Sequence, residues 1–423
     1  MGKIQLSILL IFISTVGYNQ TNISGGIFQN TTWSLSGNPY IATGDVVVFE
    51  DVILTLEPGV IVKFNSGASL EIRGKLIAIG NSSDSIRFTS NSSSPAMNSW
   101  KGIIVKGTNN QTGNGNQVSM EYCIGEYAGY FIDLNIAYEG PYVFKHCYFG
   151  HNFQTNDDGG LPETIFDHCR FVSNNQAVGG SSYTLNVINC EFVNNKNGVD
   201  GVDLVDSCYF SNTTEAAVLS NEIVSNCTIV NNNIGVDCYF AGSRKFVNNV
   251  VQYNNIGVSM QKYFTGHNEF TGNTICNNSV YNLELLDFNN ASIPFNCWCS
   301  EDSAFIRSTI FDGFVNTNYG LVAFTPIEDD CSETNVGIES EYRGNDGLLD
   351  IFPNPFIDEL SVRLSTSEEV EIILYDLNAN QLLRQRGINI VSLNTTYLPA
   401  GIFILEIKTK DRQLDVRRVV KVE

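Results

Sequence analysis

The chain has 423 residues, 45 acidic against 24 basic, a net charge of -21 and a pI near 4.5. That length can bury a sizeable core in more than one domain. The acidic balance argues against nucleic acid and anionic membranes as partners and leaves calcium, cationic partners or plain solubility as readings of the charge.

Lys3, the apolar run Ile8 to Ile13 and the small residues Thr15 and Gly17 predict a secretory signal peptide over residues 1–17. The run is too short for a membrane anchor, and no later stretch is long and apolar enough to cross as a helix. From Thr31 to Gly107, short β-rich runs (Val46–Phe49, Ile53–Leu56, Val60–Phe64, Ser69–Ile72, Lys75–Ile79, Ile86–Thr89, Gly102–Val105) alternate with Gly, Pro, Asn and Asp turns. The order of EPGVIVKF (57–64), GKLIAIG (74–80) and a Trp100-Lys101-Gly102 strand resembles the opening turns of bacterial extracellular β-helix proteins. The resemblance implies a fold and leaves activity open.

A repeat follows. With Cys123, Cys147, Cys169, Cys190, Cys208 and Cys227 in one column, an apolar residue sits three places before (Phe144, Phe166, Val187, Val205, Val224) and another two after (Phe149, Phe171, Phe192, Phe210, Ile229). Asn or Thr falls five places after (Asn152, Asn174, Asn195, Thr213, Asn232), with a small residue at eight in several copies (Ala177, Gly198, Ala216, Gly235). The column continues through Asn249 and Asn273, at spacings of 24, 22, 21, 18, 19, 22 and 24 residues. A period of that length marks a solenoid. Alternation broken once at the Cys predicts two short strands meeting at a bend, with no helical face. Asn at five is expected to mark the next corner, because its amide tolerates left-handed backbone and bonds the neighbouring turn. The pattern resembles the right-handed parallel β-helix superfamily; over residues 30–326 it predicts roughly 13 turns in about 60 to 65 Å.

The six column cysteines are expected to be a buried ladder of free thiols, because in-register stacked side chains do not readily present disulfide geometry. Cys297, Cys299 and Cys331 lie outside the column and are expected to pair, with connectivity open. Asn296 to Pro326 is similar to the closing segment of the same β-helix proteins and predicts a cap for the exposed strand edges.

Residues 327–347 form an acidic linker of charge -6. In residues 348–423, runs Leu360–Leu364, Val370–Tyr375, Gln381–Arg386, Ile402–Lys408 and Val416–Val422 predict a small β-sandwich. Pro353, Asn354 and Pro355 near its start, Leu374 to Leu377, Leu398, Pro399, Ala400 and Gly401, and the ending Val419 to Lys421 resemble the type A C-terminal sorting domain of the type IX secretion system of Bacteroidota. The resemblance implies the secretion machinery as partner, a secreted or outer-surface destination, and removal of the domain or its exchange for a glycolipid anchor. With -2 on this segment and +1 on the leader, about -14 remains on the solenoid.

β-Helix enzymes acting on polysaccharides place carboxylates, a basic residue and often calcium on one outer face. The comparable concentration here runs from Glu139 to Arg170: Lys145, His146, Asp167, His168 and Arg170 as candidate catalytic groups, His151 nearby, and Asp157 with Asp158 as candidate calcium ligands. Lys145 is expected one turn from Asp167, and His146 one turn from His168. The plain reading is solvent-facing charge, an ordinary cross-strand pair and a turn. Tyr122, Tyr148 and Tyr209 flank the column and are candidates for stacking on sugar rings, or for packing. No cofactor other than calcium is suggested. Two functions follow: a glycan- or partner-binding adhesion module without catalysis, or a polysaccharide lyase or glycosidase using the Lys145 to Arg170 cluster.

Overall fold

The computed structural model describes residues 20–106, 118–136, 141–157, 163–179, 185–219, 222–240, 244–263 and 268–328, and, further on, 348–352, 356, 359–364, 369–375, 381–388, 390–399, 401–409 and 413–421. The chain divides into two units, 1–338 and 339–423.

The first unit is a parallel β-solenoid. A repeat lays down three short strands, such as Tyr142–Lys145, Tyr148–Gly150 and Gln154–Asp157. Each pairs in parallel with its equivalent in the next turn, here Thr164–Asp167, Arg170–Val172 and Gln176–Gly179. Three ladders result, the first of them a separate sheet of eleven strands among the described residues. The solenoid has about ten turns rather than 13. The windings at the ends are partial: Thr21–Ile27 runs through the second and third ladders only, ahead of the first strand of the first ladder at Thr31–Trp33, and Ile310–Phe311 joins only the third.

The core is built from the residues three before and two after the Cys. Rings stack turn upon turn: Phe144 on Phe166 at 4.9 Å, Phe171 on Phe192 at 4.6 Å, Phe192 on Phe210 at 4.5 Å. Across the interior the two columns meet edge to face, as Phe149 meets Phe166 at 5.8 Å. Such pairs add roughly 0.5–1.5 kcal/mol each to what burial contributes.

Between these strands lies the thiol ladder. All six column cysteines are free and buried, joined by Cys238. The backbone N–H of Cys169 donates to Cys190 Sγ at 3.3 Å, and that of Cys190 to Cys208 Sγ at 3.4 Å. Burial pushes the thiols of Cys123, Cys169, Cys190 and Cys227 up, which keeps them protonated and unreactive. Asparagine then takes over the column: Cys227 N–H donates to Asn249 Oδ1, and Asn249 N–H to Asn273 Oδ1, both at 2.9 Å.

A second buried ladder runs through Asn152, Asn174, Asn195, Thr213, Asn232 and Asn254. These residues bond the neighbouring turns as expected, but they are not the left-handed ones. Positive φ falls one place earlier, at His151, Ser173, Asn194, Asn212 and Asn231, and also immediately before the cysteines, at His146, His168, Asn189, Ser207 and Asn226. The chain turns on the exposed residue, and the next amide faces inward and locks the turn.

The closing segment carries a short helix and a two-stranded parallel pair. Asp302 caps the helix Ser303–Ser308, accepting from Ala304 N–H at 2.8 Å, and Val322–Ala323 pairs with Ala291–Ser292. Trp298 is buried against Phe324. Cys299 is joined to Cys276, a cysteine outside the expected trio, and Cys297 is also disulfide-bonded. Cys331 lies outside the described residues.

The second unit has two antiparallel sheets. One contains Leu348–Phe352, Glu359–Leu364 and Ile390–Asn394; the other orders Gln381–Gly387, Val370–Tyr375, Gly401–Lys408 and Gln413–Lys421. Phe356, Leu360, Val362, Ile372, Leu374, Val391, Phe403, Leu405 and Val419 share one core, which fits a small sandwich.

Candidate functional site

The cluster anticipated between Glu139 and Arg170 is distributed over three different parts of the turn. Lys145 and Asp167 are register partners at the end of the first ladder, as expected. His146 and His168 occupy the following left-handed corner, one turn apart, with ring centroids 5.2 Å apart. His168 Nδ1 lies 2.6 Å from Asp167 Oδ1, which also accepts from Asn189 Nδ2 at 3.4 Å. Arg170 belongs to the second ladder and pairs with its register neighbour Glu191 at 2.7 Å. His151 sits at the next corner, stacked on Tyr127.

Asp157 is further away, at the end of its third-ladder strand and in register with Asp133. Asp158 lies outside the described residues. Beyond the adjacent carboxylates Asp133 and Asp157 the column runs Gly179, Asp200, Leu219, Asp237, Ser259 and Glu284, in which every second rung carries a carboxylate. Burial raises Asp200, with Asp237 adding to it, and burial raises Asp237. From Asp200 to Glu284 the two-rung spacing, roughly 9.6 Å, limits repulsion within the column. Among the described residues, no group of three His, Cys, Asp or Glu is placed to hold a metal ion.

A different cluster, not singled out from sequence, occupies the second ladder's outer face. Glu126 is buried and receives both Arg87 Nε at 3.0 Å and a second guanidinium nitrogen at 3.2 Å. The Tyr148 ring lies over Gly150, where a Cβ would strike it. Burial first, then the charge of Glu126, raises the Tyr148 hydroxyl. These charges are all neutralised within the face.

The corners beside this face carry the least expected residues. Most turns place Asn or Ser at these positions; the two turns around Cys123 and Cys147 place Tyr122, Tyr127, His146 and His151 there at positive φ, and His168 and Tyr253 add two more rings further on. Left-handed backbone costs an L-residue about 1–2 kcal/mol, least for Asn and Asp, so large rings are a poor local choice. The rings stack in pairs, Tyr122 on His146 at 4.8 Å and Tyr127 on His151 at 5.2 Å. Tyr130 and Phe153 follow on the same two turns, 36% and 38% exposed, edge to face at 6.2 Å. The tyrosines marked from sequence, Tyr122, Tyr148 and Tyr209, are all half-exposed; the exposed rings of Tyr130 and Phe153 lie round the corner.

In the second unit, Phe356 and Lys421 form a bridge, and the Lys421 ammonium lies 5.9 Å from the Phe356 ring, so the first and last motifs of the segment meet. Leu398 closes a turn by donating its N–H to Thr395 O at 3.0 Å, ahead of the strand that opens at Gly401. Pro353, Asn354, Pro355 and Ala400 lie outside the described residues. Residues 350–421 match the family described as the secretion system C-terminal sorting domain. This unit is a type IX sorting domain. The protein is therefore secreted or surface-attached, and the sorting domain engages the type IX secretion machinery. No helix among the described residues is long and apolar enough to cross a membrane. Comparison of the chain with curated proteins gave no match.

Proposed function

We propose that the exported solenoid is a binding and adhesion module for a glycan or surface partner, without catalysis. The observation that supports this reading most is the dispersal of the candidate catalytic groups. Asp167 is held by His168 and Asn189, Arg170 by Glu191, and Asp157 belongs to another ladder. Hydrolysis or elimination at a sugar needs an acid and a base at set separation across one cleft. A rigid stack of rungs with paired surface charges and exposed rings suits binding better.

The test is a protein in which Lys145, His146, Asp167 and His168 are all replaced by alanine. Its co-sedimentation with insoluble polysaccharide or with cells is expected to equal that of the parent, and its unfolding midpoint to change little, because these are exposed or half-exposed groups. Lost binding with the fold intact would move the site to that corner and contradict the reading.

A further inference from the structure

We propose that the ridge formed by Tyr127, His151, Tyr130 and Phe153 is the binding site and that its ligand is an uncharged saccharide chain. This rests on the binding reading above and adds its place and ligand class. The first argument is local. The corner after the Cys is filled by Ser173, Asn194, Asn212 and Asn231 in the following turns, residues that suit its backbone. Tyr127 and His151 fill it with rings, against that preference, on two successive turns where Tyr130 and Phe153 also expose theirs; Tyr253 puts one further ring in this column. Residues held in disfavoured backbone cluster at sites of function.

The second argument is the chemistry of the surroundings. The ridge continues to Met97, 38% exposed, on a loop where Asn98 N–H donates to Ala128 O and Ser99 N–H to Tyr127 O. Planar rings supply apolar faces for the C–H face of a pyranose, and the exposed amide of Asn98 can meet its hydroxyls. A protein partner would be expected to need a continuous apolar centre of anchors. The apolar groups here are two exposed rings, Tyr130 and Phe153, the exposed Met97 and the half-buried rings of Tyr127 and His151. The third argument is charge. Arg87 is matched by Glu126 and Arg170 by Glu191, and the solenoid as a whole carries about -14, so a polyanion would be repelled.

The experiment uses the full chain in native gels containing a neutral polysaccharide (mixed-linked glucan, mannan or xylan) or a polyanion (polygalacturonate or alginate). Retardation by at least one neutral polymer and by neither polyanion is expected. Two variants locate the site: Tyr127→Asn with His151→Asn, and Tyr130→Ala with Phe153→Ala. Each should weaken binding roughly tenfold or more. The asparagine pair carries the corner's own preferred residue, so its unfolding midpoint should equal or exceed the parent's, which separates lost binding from lost fold. A parent that binds while both variants bind equally well overturns the ridge and leaves the binding reading standing. A parent retarded by no polysaccharide overturns the ridge and removes the saccharide from the binding reading. Retardation by polyanions alone overturns the ligand class.

Discussion

Replacing Asn174 with alanine is expected to lower the stability of the solenoid by roughly 3–5 kcal/mol, far more than its exposed neighbours would. The side chain is buried between two turns. Its Oδ1 accepts from Asn152 N–H at 2.9 Å, and its Nδ2 donates to Phe149 O at 3.0 Å and to Asn195 Oδ1 at 3.1 Å. Alanine leaves a buried N–H and a buried C=O without these partners, and each orphan costs about 1–3 kcal/mol. Asn175→Ala is the control, since the neighbouring side chain is half-exposed and the change is expected within about 0.5 kcal/mol. The three tryptophans, Trp33, Trp100 and Trp298, are all buried in the solenoid, so their fluorescence follows this unit alone during denaturant unfolding. A solenoid need not unfold in two states, so the midpoint is the quantity to compare. Equal midpoints for both variants would mean that the amide ladder does not hold the turns.

Deleting residues 348–423 is expected to abolish export while leaving the solenoid folded. The sorting domain has a core of its own, and the solenoid cluster contains none of its residues. In the native host, the parent should be found at the cell surface or in the medium, and the truncated chain should be retained inside the cell. Its tryptophan emission should match that of the parent. Surface delivery of the truncated chain would show that residues 350–421 are dispensable for export. Loss of the native emission would show that the solenoid needs its C-terminal partner to fold.

Much of this architecture is legible in the sequence because a solenoid repeats its instructions. One Cys column with apolar residues at fixed offsets specifies two strands and a bend, and the structure places Phe144, Cys147 and Phe149 accordingly. The third strand is quieter. It buries a single valine column, Val178, Val199 and Val218, beside small residues such as Thr155, Ala177 and Gly198; a methyl on Gly198 would run into the Ala217 carbonyl of the next turn. Its outward residues are Gln154, Gln176 and Asn197, so no hydrophobic run announces it. The register also passes from Gly198 to Ala217 rather than Ala216, an extra residue that the Cys alignment hides. The first winding, Thr21–Ile27, was masked by Gly25 and Gly26 and by its exposed surface.

The candidate site was less legible, for a geometric reason. Residues close in sequence leave a three-cornered turn in different directions, so His146, Arg170 and Asp157 share a stretch of chain without sharing a face. The left-handed corner could not be assigned to the right column, since Asn stands at both the exposed and the buried place in several turns, as in Asn194 and Asn195 or Asn231 and Asn232. The sequence does carry the ridge's signal: rings interrupt an Asn/Ser column on two successive turns, at Tyr127 and His151, where Tyr253 is a single later interruption. Reading it requires knowing that the column turns the chain.

The most direct test of a binding protein without turnover is to incubate the full chain, with and without calcium, with plant, algal and bacterial polysaccharides, reading polymer length and bound protein from the same samples. Bound protein with polymer length unchanged in every sample is the predicted result. Shortened polymer that is no longer produced by Asp167→Ala or His168→Ala would make this protein an enzyme and contradict the account.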